Sequence, residues 1–251
     1  MRSAFALLSL AFAAVSFAAP ATNTGSGTGA LFQRCNRPGV FALTFDDGPN
    51  ENSYGLAKYL HSENITATFF TNSRNFFSSP FDTTTTETED GTKTYQEVLQ
   101  YYDQLGHEVA SHTFSHAVLT RLNADQVAEE LNLQSDTIFR AIGKRPAFMR
   151  PPEGATNEAV NQVISSLGYS NINWDVDTKD YEHLGLATEE ERVRAIVDLD
   201  VPGVTLGHIA LQHDVHADSV NILTPWLVQY LRSKNYTFVT VSDCIGLPAY
   251  Q

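Results

Sequence analysis

The chain has 251 residues, with 16 lysines and arginines against 29 aspartates and glutamates, for a formal net charge of −13. That balance excludes nucleic acids and other polyanions as partners, because their binding relies on clustered cations. It leaves neutral or cationic polymers open.

The first 18 residues read as a secretion signal: Arg2 supplies the charge, Ala4 to Phe17 is almost wholly apolar, and small residues follow. The run is shorter than the roughly 20 residues a bilayer span requires and no basic cluster follows it. A secreted protein, extracellular or in the cell wall and without a membrane anchor, is therefore expected. Residues 19–30, which include the run TNTGSGTG, form a flexible lead-in, and one domain of residues 31–251 follows. Export places the two cysteines, Cys35 and Cys244, in an oxidising compartment, so a single bridge between them is expected to fasten the ends of the domain. Two sequons, Asn64-Ile65-Thr66 and Asn235-Tyr236-Thr237, suit the same route and predict glycosylated surface positions.

Along the domain, short apolar runs alternate with amphipathic stretches. Strands are predicted at Val40–Phe45, Ala67–Phe70, Glu108–Ser111, Ala147–Arg150, Asn171–Val176, Ile209–Gln212 and Phe238–Val241, and helices at Ser53–Ser62, Tyr95–Leu105, Ala124–Ile142, Asn157–Leu167, Thr188–Leu199 and Ser219–Ser233. Alternation of this kind means an α/β fold with a mostly parallel sheet, and at this length a barrel or distorted barrel. Ser78–Lys93 is a long polar connection that either shapes a groove or is a mobile insertion.

Candidate catalytic residues collect where predicted strands end, the face on which barrel enzymes build their sites. In Thr44-Phe45-Asp46-Asp47-Gly48-Pro49 the glycine and proline stop the strand, so the chain can turn and bring both carboxylates to one place. Two carboxylates held together suit one metal ligand beside one general base. His112 and His116, in Ser111-His112-Thr113-Phe114-Ser115-His116, stand four apart, which would put both imidazoles on one side of a helical turn as nitrogen ligands. With a carboxylate they make a two-His, one-Asp site. Arg150, in Arg150-Pro151-Pro152-Glu153-Gly154, could keep a catalytic carboxylate ionised, and the proline turn could aim a backbone N–H into the site. Asp177-Thr178-Lys179-Asp180-Tyr181 and Leu211-Gln212-His213-Asp214 end the set, and a histidine kept protonated by a carboxylate is what an amide hydrolase needs to expel an amine.

In this order the five pieces resemble the signatures of the polysaccharide deacetylases of carbohydrate esterase family 4, the NodB-type group that includes fungal chitin deacetylases, over about Gly39 to Asp243. The resemblance implies a single-domain distorted (β/α) barrel and hydrolysis of N-acetyl groups on chitin or chito-oligosaccharides by a monomer. It implies Asp46 as general base, Asp47, His112 and His116 as metal ligands, and His213 as general acid. Arg150 would orient Asp46, Asp180 would pair with His213, and Leu211, Glu153, Tyr181 and Trp174 would contact substrate. Zn²⁺ fits the Asp-His-His set, with Co²⁺, Mn²⁺ or Ni²⁺ also admissible.

Two positions depart from the family pattern. Glu153 stands where an aromatic residue is usual, which keeps the backbone donor but puts a carboxylate near a developing negative charge; Tyr181 stands where Trp is usual. Acetylxylan and peptidoglycan deacetylases share the signatures, and a glycan-binding protein with weakened catalysis is the alternative from another class.

Overall fold

In the computed structural model, residues 30–76 and 80–251 are described. The expected signal and nearly all of the lead-in lie outside them. The strands in chain order are β1 (Leu31–Phe32), β2 (Arg34–Pro38), β3 (Val40–Asp46), β4 (Thr68–Thr71), β5 (Thr85–Thr88), β6 (Gly91–Thr94), β7 (Glu108–Ser111), β8 (Phe148–Met149), β9 (Ser170–Ile172), β10 (Val176–Asp177), β11 (Leu206–His213) and β12 (Thr237–Val239). The helices are α1 (Ser53–Ser62), α2 (Tyr95–Gln104), α3 (Ala124–Ile142), α4 (Glu158–Ser166), α5 (Leu186–Val197), α6 (Thr224–Ser233) and α7 (Val241–Ile245).

The main sheet runs β1-β9-β8-β7-β4-β3-β11-β10. Every pairing along this path is parallel; β12 also pairs parallel with the first half of β3, and β2 lies antiparallel to the start of β11. The two far sides of the path are joined by the chain itself, since only Asn173, Trp174 and Asp175 separate β9 from β10. So short a link spans at most about 14 Å, and the sheet must curl until its sides nearly meet. This is the nearly closed, distorted barrel that the alternation of strands and helices predicts.

Strand β3 shows how the layers form. It is buried along its whole length, so its residues sort by pleat rather than by polarity. Val40 and Ala42 point inward to a cluster with Phe70, Phe148, Ile172, Ile209 and the two cysteines, which fills the barrel. Phe41, Leu43 and Phe45 point outward and meet α1, α2 and α6 through Leu56, Leu60, Leu99 and Leu227. Each such large side chain contributes about 1.5–3 kcal/mol by burial. A third cluster, with Val127, Leu131, Val160 and Ile164, seals α3 and α4 to the sheet.

Cys35 and Cys244 are bonded, with Cα atoms 4.6 Å apart, and both are fully buried at the end of the barrel away from the strand exits. Helices α2 and α3 begin with reciprocal caps, Thr94 with Glu97 and Asn123 with Gln126.

Three local expectations are corrected, and the polar connection gains a structure of its own. The predicted strand Asn171–Val176 is two strands, β9 and β10, because the chain there crosses the seam of the barrel. The predicted helix Ser219–Ser233 opens as a π-helical turn at Ser219–Leu223 before Thr224 begins α6. Ser78 and Ser79 lie outside the described residues; from residue 80 the polar connection forms a hairpin over β5 and β6, pinned to α1 by Asp90, which accepts from Tyr54 Oη and Lys58 Nζ, each at 2.9 Å. The segment carrying His112 and His116 is not a helical turn, as described below.

Candidate metal and active site

The inward series of β3 continues through Thr44 to Asp46, which reaches the barrel mouth 2% exposed. Asp47 would face outward in a continued strand. Instead its backbone turns left-handed, at φ 76°, while its N–H still donates to the Phe70 carbonyl at 3.2 Å. That reversal at Asp47 itself brings the second carboxylate to the same opening. Gly48 follows because an added Cβ would fall on the Asp214 carboxylate, which is packed against it.

Strand β7 delivers His112 in the same way from across β4, its N–H bonded to the Thr71 carbonyl at 3.0 Å. The chain then doubles back through left-handed residues, Thr113 at φ 69° and His116 at φ 59°, so the two imidazoles meet across a bend rather than along a helix face. Glu130 of α3 secures this bend by accepting from the N–H groups of Phe114 and Ser115 at 3.0 and 2.8 Å and from the Ser115 hydroxyl at 2.6 Å. The ring centroids of His112 and His116 are 5.0 Å apart.

Asp47, His112 and His116 each present a ligand atom, all within 4.8 Å of one another. Asp47 Oδ1 lies 3.7 Å from His112 Nε2 and 3.5 Å from His116 Nε2. Two metal–ligand bonds of about 2.1 Å at a tetrahedral angle span about 3.4 Å, so these separations fit a small divalent cation. The tautomer fits as well. His112 Nδ1 is 2.8 Å from the Arg150 carbonyl oxygen, which can only accept, so Nδ1 carries the proton and Nε2 keeps its lone pair for a metal. Burial also lowers the His112 pKa, against the raising effect of Asp46 and Asp47. Asn75, which no motif marks, donates to Asp47 Oδ1 at 2.9 Å.

Arg150 leaves β8 into the barrel and is fully buried. Its guanidinium donates to Asp46 Oδ1 at 2.6 Å, to Thr44 Oγ1 at 2.7 Å, and to the Ile172 and Asn173 carbonyls at 3.0 and 3.3 Å. It thus ties β3 to the seam and leaves Asp46 Oδ2 directed at the opening, 3.6 Å from His112 Nε2. Phe70 and Trp174 sandwich it, 4.1 and 5.4 Å from ring centres.

On β11, Leu211 and His213 share the inward parity of Ile209, and the strand register pairs Leu211 with Thr44 and His213 with Asp46. His213 Nδ1 meets Asp180 Oδ1 at 2.8 Å, and its backbone N–H donates to Asp180 Oδ2 at 2.7 Å. Burial would lower the His213 pKa, but the Asp180 hydrogen bond and the charges of Asp180, Asp46 and Asp47 push it up to about 9. Burial would likewise raise Asp180, and the hydrogen bond and charge of His213 hold it below the usual carboxylate range.

Asp46, Asp47, His112, His116, Glu153, Trp174, Tyr181, Leu211, His213 and His216 line one cavity of about 320 Å³. Arg150 and Asp180 stand behind it as supports. Glu153 is exposed on its rim at φ 59°, and Gly154 next to it packs so close to Trp174 that an added Cβ would sit 3.0 Å from the ring. Tyr181 meets the His213 ring edge-on, centroids 5.4 Å apart. All the residues predicted for metal binding, catalysis and substrate contact are therefore gathered at one opening or directly behind it. His216, Asn75 and Glu130 are additions that no motif signals. Asn64 and Asn235 lie elsewhere, exposed at the C-terminal ends of α1 and α6 with φ of 56° and 63°, the left-handed cap conformation that asparagine tolerates.

A polysaccharide deacetylase family profile matches residues 33–172. The chain belongs to the polysaccharide deacetylase family. A chitin deacetylase of Pestalotiopsis sp is 34% identical over 219 residues, covering 87% of this chain and 67% of that protein. A probable peptidoglycan-N-acetylglucosamine deacetylase of Arthroderma benhamiae is 33% identical over 222 residues, covering 88% of this chain and 47% of that protein. The chain thus spans from about half to two thirds of the length of these two relatives. Among solved structures, the chitin deacetylase of Colletotrichum lindemuthianum superposes with a TM-score of 0.79 at 29% identity, over 89% of this chain and 96% of that one. The family's barrel is the fold seen here.

Proposed function

We propose that the protein is a metal-dependent hydrolase that removes N-acetyl groups from GlcNAc units of chitin or chito-oligosaccharides, yielding acetate and glucosamine units. The observation that carries this reading is the meeting, in one small cavity, of an Asp-His-His cation site with a buried carboxylate on one side and a carboxylate-paired histidine on the other. The chitin deacetylases among the relatives supply the substrate class.

Asp47, His112 and His116 would hold a divalent cation, zinc suiting these donors best, which would supply Lewis-acid activation at the acetyl group. Asp46, oriented by the Arg150 guanidinium, would take a proton from the water that attacks the carbonyl carbon. The Glu153 N–H, presented by the Pro151–Gly154 turn, donates to the oxygen that gains charge. His213, held protonated by Asp180, gives its proton to the nitrogen as the C–N bond breaks, so the amine leaves neutral. Leu211 and Trp174 offer apolar wall to the acetyl methyl and the sugar.

The protein is proposed to act outside the cell as a secreted monomer glycosylated at Asn64 and Asn235; the disulfide and the exposure of both sequons suit that route. Mass analysis of defined GlcNAc oligomers after incubation with zinc-loaded protein tests the activity, the expected product being shorter by one acetyl group per event. The peptidoglycan deacetylase among the relatives favours peptidoglycan as a second substrate reading. Acetate release from chitin oligomers, peptidoglycan and acetylxylan, measured side by side, separates them.

A further inference from the structure

His216 lines the cavity, yet the reaction leaves it without a task. It follows β11 by three positions, where its N–H turns back to the His213 carbonyl at 3.4 Å. Its ring lies 5.7 Å from that of His213 and meets His183 edge-on at 4.7 Å. A row of rings therefore runs from the reacting centre out to the turn after Asp180, where Tyr181 is 39% and Leu184 55% exposed. His112 and His213 each commit Nδ1 to a protein oxygen. Among the described residues, neither ring nitrogen of His216 has a hydrogen-bond partner. Burial lowers its pKa against Asp180, and His213 and His183 add to the lowering, which keeps the ring neutral. A neutral imidazole offers one donor and one acceptor. Tyr181, which lines the same cavity, offers apolar surface. A pyranose presents the complementary pair, hydroxyls at its edge and C–H groups on its face.

We propose that His216 is a specificity-determining residue that hydrogen-bonds the sugar unit next to the one being deacetylated, with Tyr181 as the surface on which that ring rests. This rests on the deacetylase reading above. Because His213 is committed to the leaving amine, a ring beyond it serves substrate past the scissile bond, and the contact strengthens binding of longer chains.

The test is steady-state kinetics of zinc-loaded wild type, His216→Ala and His216→Asn on the GlcNAc monosaccharide and tetramer, with zinc content and melting temperature measured alongside. His216→Ala should raise KM for the tetramer roughly five- to tenfold, the loss of about one hydrogen bond, with no such rise for the monosaccharide, which lacks the neighbouring unit, and kcat little changed. His216→Asn, which keeps a donor and an acceptor, should recover part of the loss, and it carries the comparison if the alanine variant does not fold. An equal loss on both lengths, a loss confined to kcat, or an asparagine variant no better than alanine would overturn the proposal. Absence of acetate release from wild type on the tetramer would instead sink the deacetylase reading, and this inference with it.

Discussion

Asp46 and His213 are paired in register at the ends of two adjacent parallel strands, β3 and β11. Neighbouring strands lie about 4.8 Å apart, and both residues share the inward parity of their strands. The backbone ladder alone therefore sets the candidate base beside the candidate acid, and Arg150 and Asp180 then orient each from behind.

This arrangement predicts separable losses at Asp46 and its partner. Asp46→Asn should retain bound zinc and lose turnover by about 10²–10⁴-fold, read as kcat beside metal content. Arg150→Ala leaves Asp46 buried without its counter-ion, and breaking such a pair costs about 3–5 kcal/mol. That loss should appear as a fall in denaturation midpoint; Asp46→Asn also strips the buried Arg150 of its counter-ion but keeps an oxygen to accept its hydrogen bond, so its fall should be smaller.

The pH profile follows from the sign of the His213 shift. The acid works protonated, and its pKa is raised to about 9, so kcat/KM should hold through neutral pH and fall as pH rises toward 9. Asp180→Asn removes the principal raising interaction and should move that limb to lower pH. The same linkage governs stability: the contribution of the pair is fully present below the unfolded histidine value of about 6.5 and is lost as pH rises through the folded one. A basic limb unmoved in Asp180→Asn would contradict the assignment.

Glu153 places a carboxylate on the rim, where the oxygen of the reacting carbonyl gains negative charge. Glu153→Gln keeps the backbone donor and removes the charge. It should raise kcat on chitin oligomers severalfold, an effect of about 1 kcal/mol at a solvated site, with binding of zinc unaltered.

The Cys35–Cys244 bridge closes a loop of 209 residues. In the chain-entropy account such a loop contributes about 5 kcal/mol. Denatured, unreduced protein should show no free thiol, and the Cys35→Ser, Cys244→Ser double variant should melt well below wild type while keeping its zinc site.

Much of the site was legible because parity and strand ends are local properties. Asp46, Leu211 and His213 face inward for the same reason that Ala42 and Ile209 do, and period-two burial can be read from a chain. The spacing of His112 and His116 marked two residues whose rings do meet, but not how, since i and i+4 residues meet across a left-handed bend as well as on a helix. Asn75 and Glu130 were not legible, because their partners are a carboxylate and backbone groups distant in sequence, chosen only once β4 and α3 are in place. Strands β1 and β2 are too short or too exposed to show a pattern, and the β5–β6 hairpin is polar on both faces. The break at Trp174 is imposed by closing the barrel, a condition that no local window contains.

The central claim is that Asp47, His112 and His116 hold one divalent cation beside Asp46 and His213. Anomalous scattering at the zinc edge from zinc-loaded crystals tests it most directly. The account predicts a single strong peak within bonding distance of Asp47 Oδ1, His112 Nε2 and His116 Nε2, absent in Asp47→Ala. A peak held by other residues, or none at this opening at full zinc loading, would contradict it.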